Sequence, residues 1–149
     1  MKVPFLEDIE VGYEIPSLTK SPSNIQLFMF SAITWNRHRI HYDADFARNH
    51  DKLPNVVTHR ALLGNFLAQM LSDWLQENGK LKRLEWSVRG SALPGNQLTC
   101  RGKVATIRRE EDEGTVECEV WIENQRGESI VPGKAEVIVT SRESAQTIT

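Results

Sequence analysis

Residues 58–79 read Thr58-His-Arg-Ala-Leu-Leu-Gly-Asn-Phe-Leu-Ala-Gln-Met-Leu-Ser-Asp-Trp-Leu-Gln-Glu-Asn-Gly79, and this stretch decides the fold. Thr58 suits an N-cap and Asn78-Gly79 a stop, which predicts a helix from His59 to about Glu77. Its apolar residues include Leu62, Leu63, Phe66, Leu67, Met70, Leu71, Trp74 and Leu75. They occupy more than one face, so the helix is expected to be buried on most sides. Ala61, Gly64 and Ala68 fall at i, i+3 and i+7, a stripe of small residues along which a neighbour can approach closely.

Downstream of this helix the period changes to two. Leu84-Glu-Trp-Ser-Val-Arg89 alternates, and Gln97 to about Arg108 reads as a long strand. An acidic turn, Glu110 to Gly114, leads to a strand from Thr115 to about Asn124. After the turn at Gln125-Arg-Gly-Glu128 comes a last strand, Val131 to Thr140, whose Pro132 and Gly133 suggest a bulge. Upstream, Tyr13 to Lys20 reads as a short first strand made irregular by Pro16. Ser21 suits an N-cap and Pro22 the first helical position. Ile25, Phe28, Met29 and Ile33 then continue at helical spacing to about Thr34. Residues 35–43 fit neither period, and Asp43 can cap a short helix from Ala44 to about Asn49. The order is strand, helix, irregular segment, long helix, then four antiparallel strands. It predicts an α+β fold in which an antiparallel sheet wraps a long central helix, the hot-dog arrangement. One domain over residues 1–141 is expected, with a frayed tail over 142–149.

The composition narrows the function. A chain of 149 residues supports one domain, and 40% apolar with 26% charged residues is ordinary for a globular protein. Eighteen basic against 20 acidic residues leave a formal charge of −2, without the footprint of a nucleic-acid binder or a polybasic membrane segment. No apolar run nears the roughly 18 residues of a membrane span. The first residues, Met1-Lys-Val-Pro-Phe-Leu-Glu-Asp8, place acids where a secretory leader needs an apolar run. Two cysteines, Cys100 and Cys118, make neither a disulfide framework nor a metal pattern. These features predict a cytoplasmic protein without cofactor. His38, His41 and Asp43 lie close in sequence, but a further metal ligand and its supporting shell have no candidate, so no metal is expected.

The irregular segment carries the chemistry. Asn36-Arg-His-Arg-Ile-His-Tyr-Asp43 resembles the hydration-site motif of the MaoC-like hydratase/dehydratase family, roughly Ser-Gly-Asp-x-Asn-Pro-Ile-His-x-Asp. Ile40, His41 and Asp43 match it. Asn36 stands at the catalytic Asp position, and His38 and Arg39 replace Asn-Pro. In this form the segment looks like the subgroup of 3-hydroxyacyl-thioester dehydratases and mesaconyl-CoA hydratases. Val56-Val-Thr-His-Arg60 resembles the family's Val-His-Gly at the start of the central helix, with Arg60 at the Gly position. Ser91-Ala-Leu-Pro-Gly-Asn96 resembles its turn before the long strand.

The resemblance implies reversible hydration of an enoyl thioester, or dehydration of a 3-hydroxyacyl thioester, on CoA or an acyl-carrier protein. That chemistry needs a base toward water and donors for an enolate oxygen. His41 has a side chain suited to proton transfer near neutrality and is the expected acid/base. Asn36 cannot exchange protons but can orient the water. The free N–H groups at His59, Arg60 and Ala61 can hold the thioester carbonyl. Thr58 and His38 complete the expected substrate contacts. Asp43 reads as a helix cap. The Arg60 guanidinium is a second candidate, for a CoA phosphate.

Two alternatives stand beside this reading. A hot-dog thioesterase would want a carboxylate on the central helix, which offers only Asn65, Gln69 and the terminal Asp73. A non-catalytic subunit that completes a partner's site would explain the departures at Asn36, Arg39 and Arg60. A homodimer or larger homo-oligomer is expected, because one sheet around one helix leaves an edge strand open.

Overall fold

The computed structural model describes residues 3–147. The long helix forms as its pattern dictates: α3 spans Arg60–Leu75, followed by one tight 3₁₀ turn, Gln76–Asn78. Its buried residues include Leu63, Leu67, Met70, Leu71 and Leu75. Ala61, Asn65, Gln69 and Ser72 make an exposed stripe. Burial on most sides therefore holds, with one polar strip left to solvent.

Five strands wrap the buried sides. They are β1 (Glu14–Lys20), β2 (Gly79–Trp86), β3 (Leu98–Arg109), β4 (Glu113–Glu123) and β5 (Ser129–Thr140). Their order across the sheet is β1-β3-β4-β5-β2, all antiparallel, so β1 and β2 are its edges. The two-residue period sends Leu98, Cys100 and Val104 of β3 inward, with Val116, Cys118, Val120 and Ile122 of β4. Val137 and Val139 of β5 join them and the α3 leucines in one core. Fully burying such a side chain contributes about 1.5–3 kcal/mol, so this layer holds the helix in place.

Several expectations are corrected in detail. The second strand starts at Gly79 rather than Leu84, because Gly79 to Trp86 pairs with β5, with one irregularity at Lys82. Pro132 and Gly133 pair in register with Trp121 and Val120; the bulge lies at Ile130, between Val131 opposite Ile122 and Ser129 opposite Glu123. Residues 142–147 form helix α4, not a frayed tail. The Arg142 guanidinium grips the Asp8 carboxylate at 2.8 Å, and the Arg142 backbone N–H donates to the Glu7 carboxylate at 3.1 Å. Residues 148–149 lie outside the described residues.

The first helix, α1 (Asn24–Thr34), is capped by Ser23, whose Oγ accepts the Gln26 N–H at 3.1 Å, not by Ser21. Pro22 is buried in the approach, its carbonyl accepting the Gly95 N–H at 2.8 Å. The apolar spacing marks the outer face of α1. Leu27 and Ser31 are buried, whereas Ile25, Phe28, Met29 and Ile33 are exposed. Helix α2 (Ala44–Asn49) is capped by Asp43 as expected, its Oδ1 accepting the Phe46 N–H.

Within the small-residue stripe, Gly64 meets a close neighbour. A methyl group there would overlap the indole of Trp86. Gly64→Ala is therefore expected to lower stability by about 1–3 kcal/mol, through overpacking. An unchanged urea midpoint would show that the Trp86 ring moves aside at no cost.

Candidate active site

The site assembles where three chain segments cross. α1 ends with Trp35 in the left-handed region (φ 54°), and the Asn36 N–H returns to the Ser31 carbonyl at 2.9 Å. This stop turns residues 36–41 back across the start of α3. There Arg39–His41 makes a single 3₁₀ turn. The Val57 N–H donates to the Ile40 carbonyl at 3.0 Å, and the Thr58 N–H to the Ala92 carbonyl at 2.8 Å. The turn, the helix start and the β2–β3 connection are thus tied together by backbone hydrogen bonds.

His41 lies inside this junction, 8% exposed. Its Nδ1 is 2.7 Å from the Val57 carbonyl oxygen. A carbonyl can only accept, so Nδ1 carries the proton and donates. Nε2 of the neutral ring is left with its lone pair, the form a general base requires. Burial holds the His41 pKa below its usual value, the Val57 carbonyl pulls the other way, and nearby His38 adds to the lowering.

His59 lies underneath, 1% exposed. Its ring stacks on that of His41 with centroids 3.7 Å apart and 20° between planes. Phe30 packs against it at 4.8 Å. Its Nε2 is hydrogen-bonded to Ser31 Oγ at 2.7 Å. Enclosed in this way, the His59 pKa falls to about 4, first from desolvation and then from the neighbouring His41. Both imidazoles are neutral at pH 7. Among the described residues, His59 Nδ1 and Thr58 Oγ1 are buried without a partner, a cost of about 1–3 kcal/mol for each such group.

The helix start is open. Thr58 was the expected N-cap; the structure places His59 there, with no side-chain cap on the N–H groups of the first turn. The Thr58 N–H is drawn to Ala92, which holds that residue one step ahead of the capping position. The N–H groups of Arg60 and Ala61 therefore keep the positive end of α3 available.

Asn36 is half-buried at the end of α1, and its Oδ1 accepts the His38 N–H at 3.1 Å. Its amide nitrogen makes no hydrogen bond among the described residues. His38 is exposed, its ring centroid 6.0 Å from that of His41. Asp43 is held below the usual carboxylate range by the Phe46 N–H first and Arg39 second, which fits a cap rather than an acid.

The Arg60 side chain is already engaged. Its Nη2 donates to the Trp86 carbonyl at 2.7 Å, and Trp86 Nε1 donates to the Arg60 carbonyl at 2.9 Å. The guanidinium also lies over the indole, 4.8 Å from the ring centroid. This clamp fixes the first turn of α3 to the end of β2.

The structure thus brings His41, His59 and Thr58 together with the first turn of α3, and keeps Asn36 and His38 at the margin. Sequence reasoning missed Ser31; its one signal was a small polar residue among the apolar residues of α1. Cys100 and Cys118 are buried free thiols whose pKa is pushed up to about 12 by desolvation, so neither is a nucleophile.

The chain has counterparts among known proteins. A family model for hydroxyacyl-thioester dehydratase type 2 matches residues 13–93. A mesaconyl-C(4)-CoA hydratase of Chloroflexus aurantiacus is 40% identical over 52 residues, covering 35% of this chain and 19% of that protein. A mitochondrial hydroxyacyl-thioester dehydratase type 2 of Schizosaccharomyces pombe is 30% identical over 79 residues, covering 52% and 26%. The matched part thus spans about a fifth to a quarter of the length of these curated relatives. A solved MaoC-like dehydratase from Rhodospirillum rubrum shares the fold, with a TM-score of 0.82 at 23% identity over 93% of this chain and 98% of that one.

The buried histidines make stability depend on pH. Unfolded histidine titrates near 6.5, whereas folded His59 resists protonation down to about 4. Between these values the unfolded chain binds more protons, so stability is full above pH 6.5 and falls as pH drops through the window. The urea midpoint should decline from pH 6.5 to 5, and His59→Gln should decline less steeply. Equal slopes in the two proteins would contradict a neutral buried His59.

Proposed function

The chain belongs to the hydroxyacyl-thioester dehydratase type 2 family, and from that premise we propose that it hydrates enoyl thioesters and dehydrates 3-hydroxyacyl thioesters. The observation that carries the reading is the His41 ring, with Nδ1 donating to the Val57 carbonyl and Nε2 left as a neutral base.

In hydration, Nε2 takes a proton from water as the water oxygen bonds to C3. The C2=C3 electron pair moves toward the thioester carbonyl, making an enolate. Its oxygen lies against the first-turn N–H groups of Arg60 and Ala61, where the helix end favours negative charge. The imidazolium then returns its proton to C2, and the carbonyl re-forms. Dehydration is the same path reversed. Asn36 orients the water through its amide nitrogen, since its oxygen holds the His38 N–H. The Arg60–Trp86 clamp keeps the two N–H donors in place. Thioester hydrolysis is less well supported: α3 carries no carboxylate before Asp73. The same reading has two copies pairing along an open sheet edge.

The test is loss of enoyl-CoA absorbance on hydration. His41→Ala should lower kcat by about 10²–10⁴-fold, the usual contribution of a positioned acid/base. For the wild type, kcat/KM should fall on the acid side with an apparent pKa below 6.5, in the direction burial moves His41. Full activity in His41→Ala would remove it as the base.

A further inference from the structure

Two grooves flank residues 55–58, the segment from which His41 and α3 take their positions. One, of about 380 Å³, is walled by Ile25, Phe28, His41, Tyr42, Ala44 and Val56. The other, of about 230 Å³, includes Thr58, Arg89, Gly90 and Ser91. They differ in chemistry. The first draws apolar side chains from α1, α2 and the approach to α3. None of its lining residues is Lys, Arg, Asp or Glu; its other polar members are the amides of Asn24 and Asn55. The Tyr42 hydroxyl points elsewhere, donating to the Arg37 carbonyl at 2.9 Å. The second sets a cationic residue, Arg89, and two hydroxyl residues, Thr58 and Ser91, beside Val57, Val88 and Ala92.

An acyl thioester is divided in the same sense. Beyond C3 it is hydrocarbon; beyond sulfur it is a polar amide-and-phosphate arm. The reacting carbons lie between. His41 forms part of the apolar groove's wall, and with Nδ1 on Val57 and one ring face on His59, its remaining edge is free for substrate. The fold leaves the groove's α1 wall open to water. Ile25 and Phe28 are 71% and 60% exposed. The Phe28 and Tyr42 rings meet edge to face at 6.4 Å, joining α1 to the catalytic segment.

We infer that the acyl chain beyond C3 lies in the groove between α1 and residues 41–56, with Phe28 and Ala44 setting the chain length accepted. The inference rests on the hydratase reading above and adds to it the substrate's orientation and the residues that select it. The polar arm then runs toward Thr58 and Arg89. An apolar groove strengthens binding by about fourfold for each methylene it takes from water.

The experiment compares hydration of trans-2-octenoyl-CoA and crotonyl-CoA by the full chain, and its readout is the ratio of their kcat/KM values. The wild-type ratio should exceed about tenfold in favour of the longer chain. Ala44→Phe narrows the groove and should reduce the ratio at least tenfold. Phe28→Ala removes one wall and should reduce it several-fold; because Phe28 is exposed, this variant keeps the fold if the first does not. Ile33→Ala, on α1 but outside the groove, should leave the ratio where it was. A ratio unaltered in both groove variants would overturn the acyl-groove assignment while leaving the hydratase reading in force. If the wild type hydrates neither thioester, the hydratase reading itself falls, and the assignment with it.

Discussion

The hydrogen bond from His41 Nδ1 to the Val57 carbonyl is the constraint on which the rest depends. It fixes which ring nitrogen carries the proton, and so which one can accept another. It also joins two segments that neither period of the sequence would bring together. The reciprocal bond from the Val57 N–H to Ile40 makes the junction a two-point attachment. Position and tautomer of the imidazole therefore come from backbone, which side-chain motion does not disturb.

Around that bond the structure accepts local costs. Among the described residues, His59 is buried beneath His41 with one nitrogen unpartnered, and Thr58 keeps an unpartnered hydroxyl. Such groups weaken a fold of ordinary stability. The α3 leucines and the inward faces of β3, β4 and β5 offset them from one continuous core. The Arg60–Trp86 clamp adds a second fastening at the helix start, and Gly64 provides the room the indole needs. An arginine at a position where the resemblance leads one to expect glycine thus has a structural use here that leaves its backbone N–H free.

Much of this was legible in the sequence because it is local. The apolar density of residues 61–75 announced a buried helix, and the alternation from Leu84 announced the antiparallel strands, though not that β2 would cross over to pair with β5. The resemblance carried by residues 36–43 pointed to His41, which the structure buries beside the start of α3. What was hidden depends on partners distant in the chain. Ser31 and His59 are 28 residues apart, and no local pattern records their contact. The α1 periodicity told the helix but not which face is buried, since Leu27 and Ser31 turn inward while the longer apolar stripe faces out. Thr58 had the chemistry of an N-cap, yet Ala92 claims its N–H. The helix at 142–147 follows from Arg142 finding acids at the other end of the chain.

The most direct test of the central claim is the ¹⁵N NMR spectrum of the His41 imidazole at pH 7, assigned by comparison with His41→Ala. A neutral ring protonated at Nδ1, with Nε2 showing the shift of an unprotonated nitrogen, is the predicted result. A ring protonated at Nε2 alone, or at both nitrogens, would contradict it, because no lone pair would then remain to take a proton from water.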